Sequence, residues 1–558
     1  MATAHKTPGV YISEPDSFPP SIVGVETAVP AFIGYTERAS DRSRDLRLAP
    51  VRISSMADYI AKFGHGFRET YYLVTENTDV AARDYVIGTV RLREGADPLK
   101  LVESGLSNFN LYSSLRLFYD NGGGDCYIVS CGTFVDPDTN EAVTVEADNL
   151  IAGIDAIANE VGPTMLCVPD AVLLQNAARY DALVVRMLRQ CLDKQDRVAL
   201  IDVWGTYDIP ETATAPVKEA TERDPGPFTA EGRIERLRNG LAGAPPESLR
   251  YGIAYFPNLK TSVVSTADIS IDNFARGGER GKRLVSALTD VVGRLYPEEE
   301  GRENPRARKI LDNYVNRIAT EDDPKPATPA AAAAEPAITS SELTKGLLAN
   351  LPPLRDLFQL IADSQNTLPP SGAMAGVFSQ IDTTRGVWNA PANVGIAGLI
   401  APSLAITDRD QENMNVPAEG MAVNAIRTFP GRGSLVWGAR TLDSTSNDWK
   451  YIQVRRTMIY VEQSVKTALN AFVFAPNTAQ TWTTVTSAIE SFLHGLWSAG
   501  GLMGATPAEA YGVRCGLGST MTPDDILNGN MIVHVVLQMV RPAEFIELVF
   551  KQQMLGDS

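Results

Sequence analysis

Short apolar runs alternate with amphipathic helices through the middle of the chain, and this alternation restricts the fold more than any other feature of the sequence. The apolar runs are rich in β-branched residues, whereas the segments between them repeat their apolar positions every three or four residues. Such an alternation favours βαβ units, in which helices cover a largely parallel sheet. The predicted strands are Thr164–Val168, Arg197–Val203 and Tyr251–Phe256, and the predicted helices are Leu150–Glu160 and Asn176–Lys194.

Another helical pattern begins at Val454, after a predicted strand at Leu435–Trp437 and a polar turn from Asp443 to Asp448. Its apolar residues recur as they do on one side of an amphipathic helix, and we expect the polar side to face solvent. A further helix is predicted for Asn477–Gly501. The apolar positions are Val454, Met458, Val461, Val465, Leu469 and Phe472, and the polar positions are Arg455, Glu462, Gln463, Lys466 and Asn470.

Strand patterns lie near both ends of the chain. Val10–Ser13 is followed by Pro15, and Phe545–Lys551 comes after Arg541-Pro542, which itself ends an apolar strand pattern at Met531–Met539. Because proline interrupts a local hairpin, the two terminal strands must find partners elsewhere. We therefore expect arms that pair with other strand edges, and the alternative is frayed termini.

Composition and charge exclude several classes of function. The chain has 558 residues, of which 44% are hydrophobic and 21% charged, as in globular proteins. No apolar run approaches the roughly 20 residues of a membrane span, and the first residues lack a signal-peptide core. The net charge of −17 disfavours non-specific nucleic-acid binding. Five cysteines without a CxxC pair favour reduced thiols. We expect cytoplasmic synthesis and neither a nucleic-acid partner nor direct membrane insertion.

Asp170 and Asp202 follow two predicted strands, at the place where α/β enzymes carry catalytic groups. An α/β hydrolase-like or nucleotide-binding enzyme is therefore an alternative. However, the chain has only four histidines and lacks the motifs of a nucleophile elbow, a phosphate loop, a dinucleotide fold or a zinc protease. We expect both aspartates to cap turns or helices, and we predict no catalytic, cofactor-binding or metal-binding residue.

Three other features suggest a ligand at first sight, and each has a structural explanation. Asn121–Gly124 reads NGGG but follows a predicted helix at Leu111–Tyr119, so it predicts a helix stop. Trp388, close to Arg385, is expected to anchor a turn on the core. His494 has no second histidine or cysteine at a ligand spacing, so we expect no metal there.

Several segments together resemble the contractile tail sheath proteins of phage tails, R-type pyocins and extracellular contractile injection systems. The resemblance implies a structural subunit that polymerises helically around an inner tube and contracts to drive the tube through a target membrane. It also implies no cofactor, and partners that are copies of the chain, an inner tube protein, and baseplate and cap or terminator proteins. The segments are VWGARTL at 436–442, WKYIQVRR at 449–456, VFAPN at 473–477, Ser21–Ala39 with a first buried strand at Ala31–Tyr35, and Pro370–Gly398.

The expected architecture is a multidomain α+β or α/β protein. Residues 1–36 form an N-terminal arm and the first core strand, residues 37–368 an outward-facing α/β part, and residues 369–558 a C-terminal sheath core with a terminal strand arm. The outer part carries insertions at 205–250 and 260–342, where charged and proline- or alanine-rich stretches can lie only in solvent.

The resemblance also implies two assembly surfaces. The terminal strands are expected to be exchanged between neighbouring subunits, although pairing within one subunit is an alternative. The polar side of the helix that begins at Val454 is expected to contact the inner tube, although an ordinary solvated face would show the same charge pattern. The exchange residues are Val10, Tyr11, Ile12, Ser13, Ile546, Leu548 and Phe550, and the tube-contact residues are Glu462, Lys466 and Asn470.

Overall fold

The computed structural model describes residues 22–78, 80, 84–92, 95, 97–104, 109–136, 142–205, 229–274, 278–295, 308–314, 339–418 and 420–547. The chain forms two compact units. The main unit comprises Thr27–Arg385 and Ala390–Arg455, and the C-terminal unit comprises Met1–Glu26, Gly386–Asn389 and Arg456–Ser558.

The strands are β1 (Pro30–Thr36), β2 (Ser40–Asp41), β3 (Arg44–Asp45), β4 (Val51–Ile53), β5 (Thr70–Thr75), β6 (Tyr85–Val90), β7 (Leu99–Ser104), β8 (Cys126–Thr133), β9 (Met165–Cys167), β10 (Val198–Asp202), β11 (Gly252–Phe256), β12 (Leu259–Thr261), β13 (Thr367–Leu368), β14 (Val394–Gly395), β15 (Leu399–Pro402), β16 (Asn424–Phe429), β17 (Gly433–Trp437), β18 (Tyr511–Arg514) and β19 (His534–Leu537).

The helices are α1 (Met56–Phe63), α2 (Leu111–Asp120), α3 (Ala147–Ala156), α4 (Ala177–Lys194), α5 (Ala230–Leu241), α6 (Gly278–Leu295), α7 (308–314), α8 (Ser340–Asn350), α9 (Pro353–Gln365), α10 (Ser371–Arg385), α11 (Asp408–Asn415), α12 (Ile452–Leu469), α13 (Ala479–Ser498), α14 (Pro507–Ala510) and α15 (Pro523–Leu527).

The main unit is built on a sheet that, within the described residues, has nine strands in the order β14-β17-β16-β11-β10-β9-β1-β8-β4. The six strands from β16 to β8 run parallel, and antiparallel strands lie at both edges. Every residue of β1, β9, β10 and β11 is buried, as in parallel strands that are covered on both faces. The mixed α/β architecture and the strands predicted for the centre of the chain are confirmed.

Helices α2 and α10 pack with their backbones close together because of two glycines. A Cβ atom at Gly372 would lie 2.5 Å from the carbonyl oxygen of Ser114, and one at Gly376 would lie 2.5 Å from that of Phe118. Only glycine leaves room for such an approach. The motif SGAMAGVF at the start of α10 is therefore explained by helix packing, and its residues from Ser371 to Ser379 are buried.

A second hydrophobic core in the main unit joins β5 and β7 to α6, α8 and α9. The sequence did not predict β5, β6 and β7. In β6, a register shift between Val86 and Gly88 interrupts the alternation of apolar residues. The segment Leu343–Ala362 was predicted to be helical throughout. It forms the separate helices α8 and α9, because Pro352 and Pro353 cannot continue a helix.

The C-terminal unit has its own core, formed by α12, α13, β18 and β19. The N-terminal segment takes part in it. Ile22 is buried in this core, and the backbone N–H of Val25 donates to the Ser464 hydroxyl on α12 at 3.1 Å. The segment that follows the predicted arm is therefore fixed on α12 from Ile22 onward.

Two details of the predicted C-terminal part are wrong. Met531–Met539 was predicted to be one strand, but β19 covers only His534–Leu537. Arg455 was assigned to the solvent side of its helix, but it is 2% exposed, and its guanidinium stacks on the rings of Trp449 and Tyr251 at 4.5 and 4.9 Å. Stacking of this kind allows an arginine to be buried while it keeps its charge.

Half of the predicted insertion at 205–250 lies outside the described residues, as does the stretch 321–337 of the predicted insertion at 260–342. The other half of the first insertion includes α5, which buries Ile234, Leu237 and Leu241, so this part does not lie only in solvent. In the part of the chain that is described, no helix is both long and apolar enough to span a bilayer. No group of three His, Cys, Asp or Glu side chains among the same residues is arranged to hold a metal ion.

Candidate assembly surfaces

Asp170, one of the two carboxylates considered as catalytic, holds backbone groups together. Its Oδ2 accepts the backbone N–H of Tyr35 at 2.9 Å, and its Oδ1 accepts that of Asn110 at 2.6 Å. The N–H of Leu111, the first residue of α2, also donates to this carboxyl. Asp170 therefore joins β1 to the N-terminus of α2, where a negative charge is favourable. The predicted capping role is confirmed.

Asp202 performs the same task for α10. Its Oδ1 accepts the backbone N–H of Ser371 at 2.7 Å, and its Oδ2 contacts the Ser371 hydroxyl at 2.5 Å. Because Asp202 ends β10 and Ser371 begins α10, this contact fixes the start of the helix on the sheet. Both aspartates are occupied by structural hydrogen bonds at the strand ends where a catalytic pair would be sought.

Burial of the two carboxyls predicts that stability depends on pH. Desolvation raises the pKa of Asp170 to about 6 and that of Asp202 to about 7, from an ordinary value of 3.8. The folded state therefore binds more protons than the unfolded state between these values. Their contribution to stability is complete below about pH 4 and is lost as pH rises through about 7.

We expect the deprotonation of Asp202 to lower the free energy of unfolding by about 2 kcal/mol as the pH rises from 5.5 to 8. Urea unfolding across this range, followed by circular dichroism, measures the effect. Asp202→Asn removes the titrating group and should flatten the profile relative to the unmodified protein. Parallel profiles for the two proteins would contradict the assignment.

The other candidate ligand features are explained by packing. Asn121 ends α2 and joins it to another segment, since its side-chain oxygen accepts the backbone N–H of Ala397 at 2.7 Å. Trp388 packs against the C-terminal core, as predicted for a turn anchor. The ring of His494 lies 5.5 Å from that of Trp497. The five cysteines are free thiols, three of them buried, and all five are among the described residues.

The predicted tube-contact residues form an exposed surface on and just after α12. Glu462, Lys466 and Asn470 are all exposed. On the other side of the helix, Val461 is buried in the C-terminal core, and the hydroxyl of Ser464 accepts a hydrogen bond from the backbone N–H of Val25. The helix therefore has one face fixed by packing and a polar face that is accessible.

A small antiparallel sheet of β18 and β19 lies in the C-terminal unit. Tyr511 pairs with Leu537, and Val513 pairs with Val535. Within the described residues this sheet has two strands, so each strand leaves one edge without a strand partner. Val536, on the face opposite to Val513, is 66% exposed. The sequence did not predict β18, although the apolar and polar residues of YGVR alternate.

Most of the predicted exchange residues are not among the residues that the structure describes. Val10, Tyr11, Ile12, Ser13, Leu548 and Phe550 lie outside the described residues. Ile546 is described, belongs to no strand there, and is 77% exposed, as is its neighbour Phe545 at 76%. Exchange of these segments stays a prediction.

Comparison with known proteins shows what the chain is similar to. Residues 444–553 match the family model of the phage tail sheath C-terminal domain. The contracted helical sheath of the anti-feeding prophage (AFP) is 25% identical and covers 99% of this chain and 100% of its own, with a TM-score of 0.54. Residues 444–553 thus belong to the family of phage tail sheath C-terminal domains, and the whole chain is similar to contractile sheath proteins.

Two further structures extend this comparison. The contracted sheath complex of the extracellular contractile injection system PVC is 25% identical, covers 99% of both chains and has a TM-score of 0.52. A chain in the AFP baseplate has the same fold at 24% identity, 99% and 100% coverage and a TM-score of 0.52. None of the curated proteins searched matches the chain. The comparisons support a structural sheath subunit and give no support to the enzyme alternative.

Proposed function

We propose that this sheath protein polymerises helically around an inner tube and contracts to drive the tube through a target membrane. The observation that carries the proposal is its likeness to the contracted AFP sheath along 99% of the chain. The likeness covers both compact units, so it is not restricted to a common sheet or helix motif. The capping roles of Asp170 and Asp202 agree with a scaffold rather than a catalytic site.

Copies of the same chain are the first partners, and a baseplate is the second, because a similarly folded chain occurs in the AFP baseplate. We further propose an inner tube protein and cap or terminator proteins as partners. Assembly would take place in the cytoplasm, as part of a phage tail or a phage-tail-like particle. Residues 37–368 would face outward from the sheath.

Strand exchange is the contact that we propose between neighbouring subunits. The β18–β19 sheet supports it, because its unpaired edges can accept further strands through backbone hydrogen bonds. Val10–Ser13 of one neighbour and the segment that begins at Phe545 of another would be added there. A connection through hydrogen-bonded arms can persist while the subunits rotate and slide during contraction.

Negative-stain electron microscopy of the purified protein over a range of concentrations tests the proposed assembly. Hollow tubes with a regular helical repeat are the expected result. Compact particles of uniform size at all concentrations would contradict helical polymerisation, whatever the inner tube does.

Reversal of charge at Lys466 tests the proposed tube contact. Lys466→Glu should reduce retention of the inner tube several-fold at low salt and leave sheath polymerisation unchanged, because a polar interface gains specificity from charge complementarity. Co-sedimentation of tube protein with assembled sheath measures retention. Lys345→Glu, an exposed change on α8 of the main unit, is the matched control and should have no effect. Equal retention by both variants at low salt would rule out the contact.

A further inference from the structure

Phe474 occupies a backbone position that usually belongs to glycine. The N–H of Ala475 donates to the carbonyl of Phe472 at 3.0 Å and closes a β-turn. Val473 has φ −64° and ψ 130°, and Phe474 has φ 67°. These are the angles of a type II turn, whose third residue favours glycine or asparagine because other side chains are strained there.

The strain at Phe474 has no compensation within the described structure, because the side chain is as exposed as in a free peptide. Burial cannot explain an aromatic residue at this position, and glycine would adopt the positive φ of the turn with less strain. Backbone strain that brings no local benefit points to a function elsewhere.

The turn presents the ring from a well-supported backbone. Phe472 packs against the C-terminal core. The side-chain oxygen of Asn477 accepts the indole N–H of Trp482 at 2.6 Å, and its amide donates to the carbonyl of Asn530 at 3.0 Å. A backbone that is held in advance loses little conformational entropy when a partner covers the side chain that it carries.

The turn carries a second exposed apolar residue. Val473, which precedes Phe474, is 59% exposed. We call Val473 and Phe474 the apolar knob. It belongs entirely to the C-terminal unit.

We infer that the apolar knob packs against an apolar surface of a second copy of this chain in the assembled sheath. The inference rests on the proposed helical assembly and names one contact within it. When a knob on one surface meets a different surface of the next copy, the contact repeats without closing and builds a helical polymer. A central aromatic residue is also the usual energetic anchor of an interface.

A second copy fits the knob better than the inner tube does. Contacts between permanently associated chains are more apolar than transient ones, and the proposed contraction requires the sheath subunits to stay together when the tube is released. The polar face of Glu462, Lys466 and Asn470 suits the releasable contact. The same chain also offers exposed apolar side chains of the required kind at Phe545 and Ile546.

Phe474→Gly tests the contribution of the apolar knob to assembly without disturbing the fold. Glycine relieves the strain of the turn and removes no buried contact, so the melting temperature should be equal or higher. The protein concentration needed to form tubes should nevertheless rise about tenfold or more. Sedimentation of assembled tubes over a dilution series measures this concentration. Val473→Ser, at an ordinary backbone position, should also raise it.

Leu48→Gly is the matched control. Leu48 also has a positive φ, of 54°, and is 43% exposed, but it lies in the main unit. This variant should assemble at the concentration of the unmodified protein. Normal assembly by Phe474→Gly would overturn the inference, including the case in which it assembles normally and fails only to retain the tube. If the unmodified protein forms no tubes, the proposed function fails first and this inference fails with it.

Discussion

Removal of residues 1–14 is expected to leave a soluble, folded protein that forms no sheath tubes. The fold should survive because the described attachments of the N-terminal segment begin later, with the burial of Ile22 and the bond from Val25 to Ser464. Assembly should fail because the strand proposed for Val10–Ser13 would no longer extend the sheet of a neighbour. Circular dichroism and gel filtration test the fold, and electron microscopy tests the tubes.

Two substitutions at Tyr11 distinguish pairing through backbone hydrogen bonds from non-specific contact by the side chains of the terminus. Tyr11→Pro removes a backbone N–H and cannot donate to a strand ladder, so it should reduce tube formation strongly. Tyr11→Val keeps both the hydrogen-bonding group and the β-propensity and should assemble normally. If the truncated protein still builds full-length tubes, strand exchange by this arm is excluded.

The sheet of the main unit could be predicted from the sequence because buried parallel strands leave a clear local signal. The run at 198–201, for example, is apolar throughout and lies between helical segments. The capping roles of Asp170 and Asp202 could also be predicted, because aspartate is favoured where a strand hands over to a helix. The groups that these aspartates bind could not be predicted from the sequence. Tyr35 is 135 residues from Asp170, and Ser371 is 169 residues from Asp202.

The candidate surfaces were harder to predict from the sequence, again because they depend on neighbours that are distant along the chain. Helical periodicity placed Glu462 and Lys466 on a polar face, but it also placed Arg455 there, although Arg455 is buried against Trp449 and Tyr251. Periodicity reports which side of a helix is polar and not which neighbours surround each turn. The conformation of Phe474 leaves no trace in a hydrophobicity pattern, because phenylalanine in an apolar run indicates burial.

Asparagine is expected to have opposite effects at the two buried aspartates, and Asp170→Asn should be among the most damaging single substitutions in the main unit. At Asp170 both carboxylate oxygens accept backbone N–H groups, and these donors cannot reverse. An amide offers one acceptor oxygen and would direct its own N–H toward a donor. We expect a loss of about 3 kcal/mol or more in the free energy of unfolding, because a buried backbone group is left unsatisfied.

Asp202→Asn is the internal control for that prediction. One oxygen of Asp202 accepts the backbone N–H of Ser371, whereas the other contacts the Ser371 hydroxyl, which can rotate and become the acceptor. The amide can therefore satisfy both positions, and the variant should stay within about 1 kcal/mol of the unmodified protein or exceed it above pH 7. Urea unfolding of both variants at pH 7.5 decides the matter. Equal losses would show that charge at the helix N-termini, rather than the direction of hydrogen bonding, determines the need for aspartate at these strand ends.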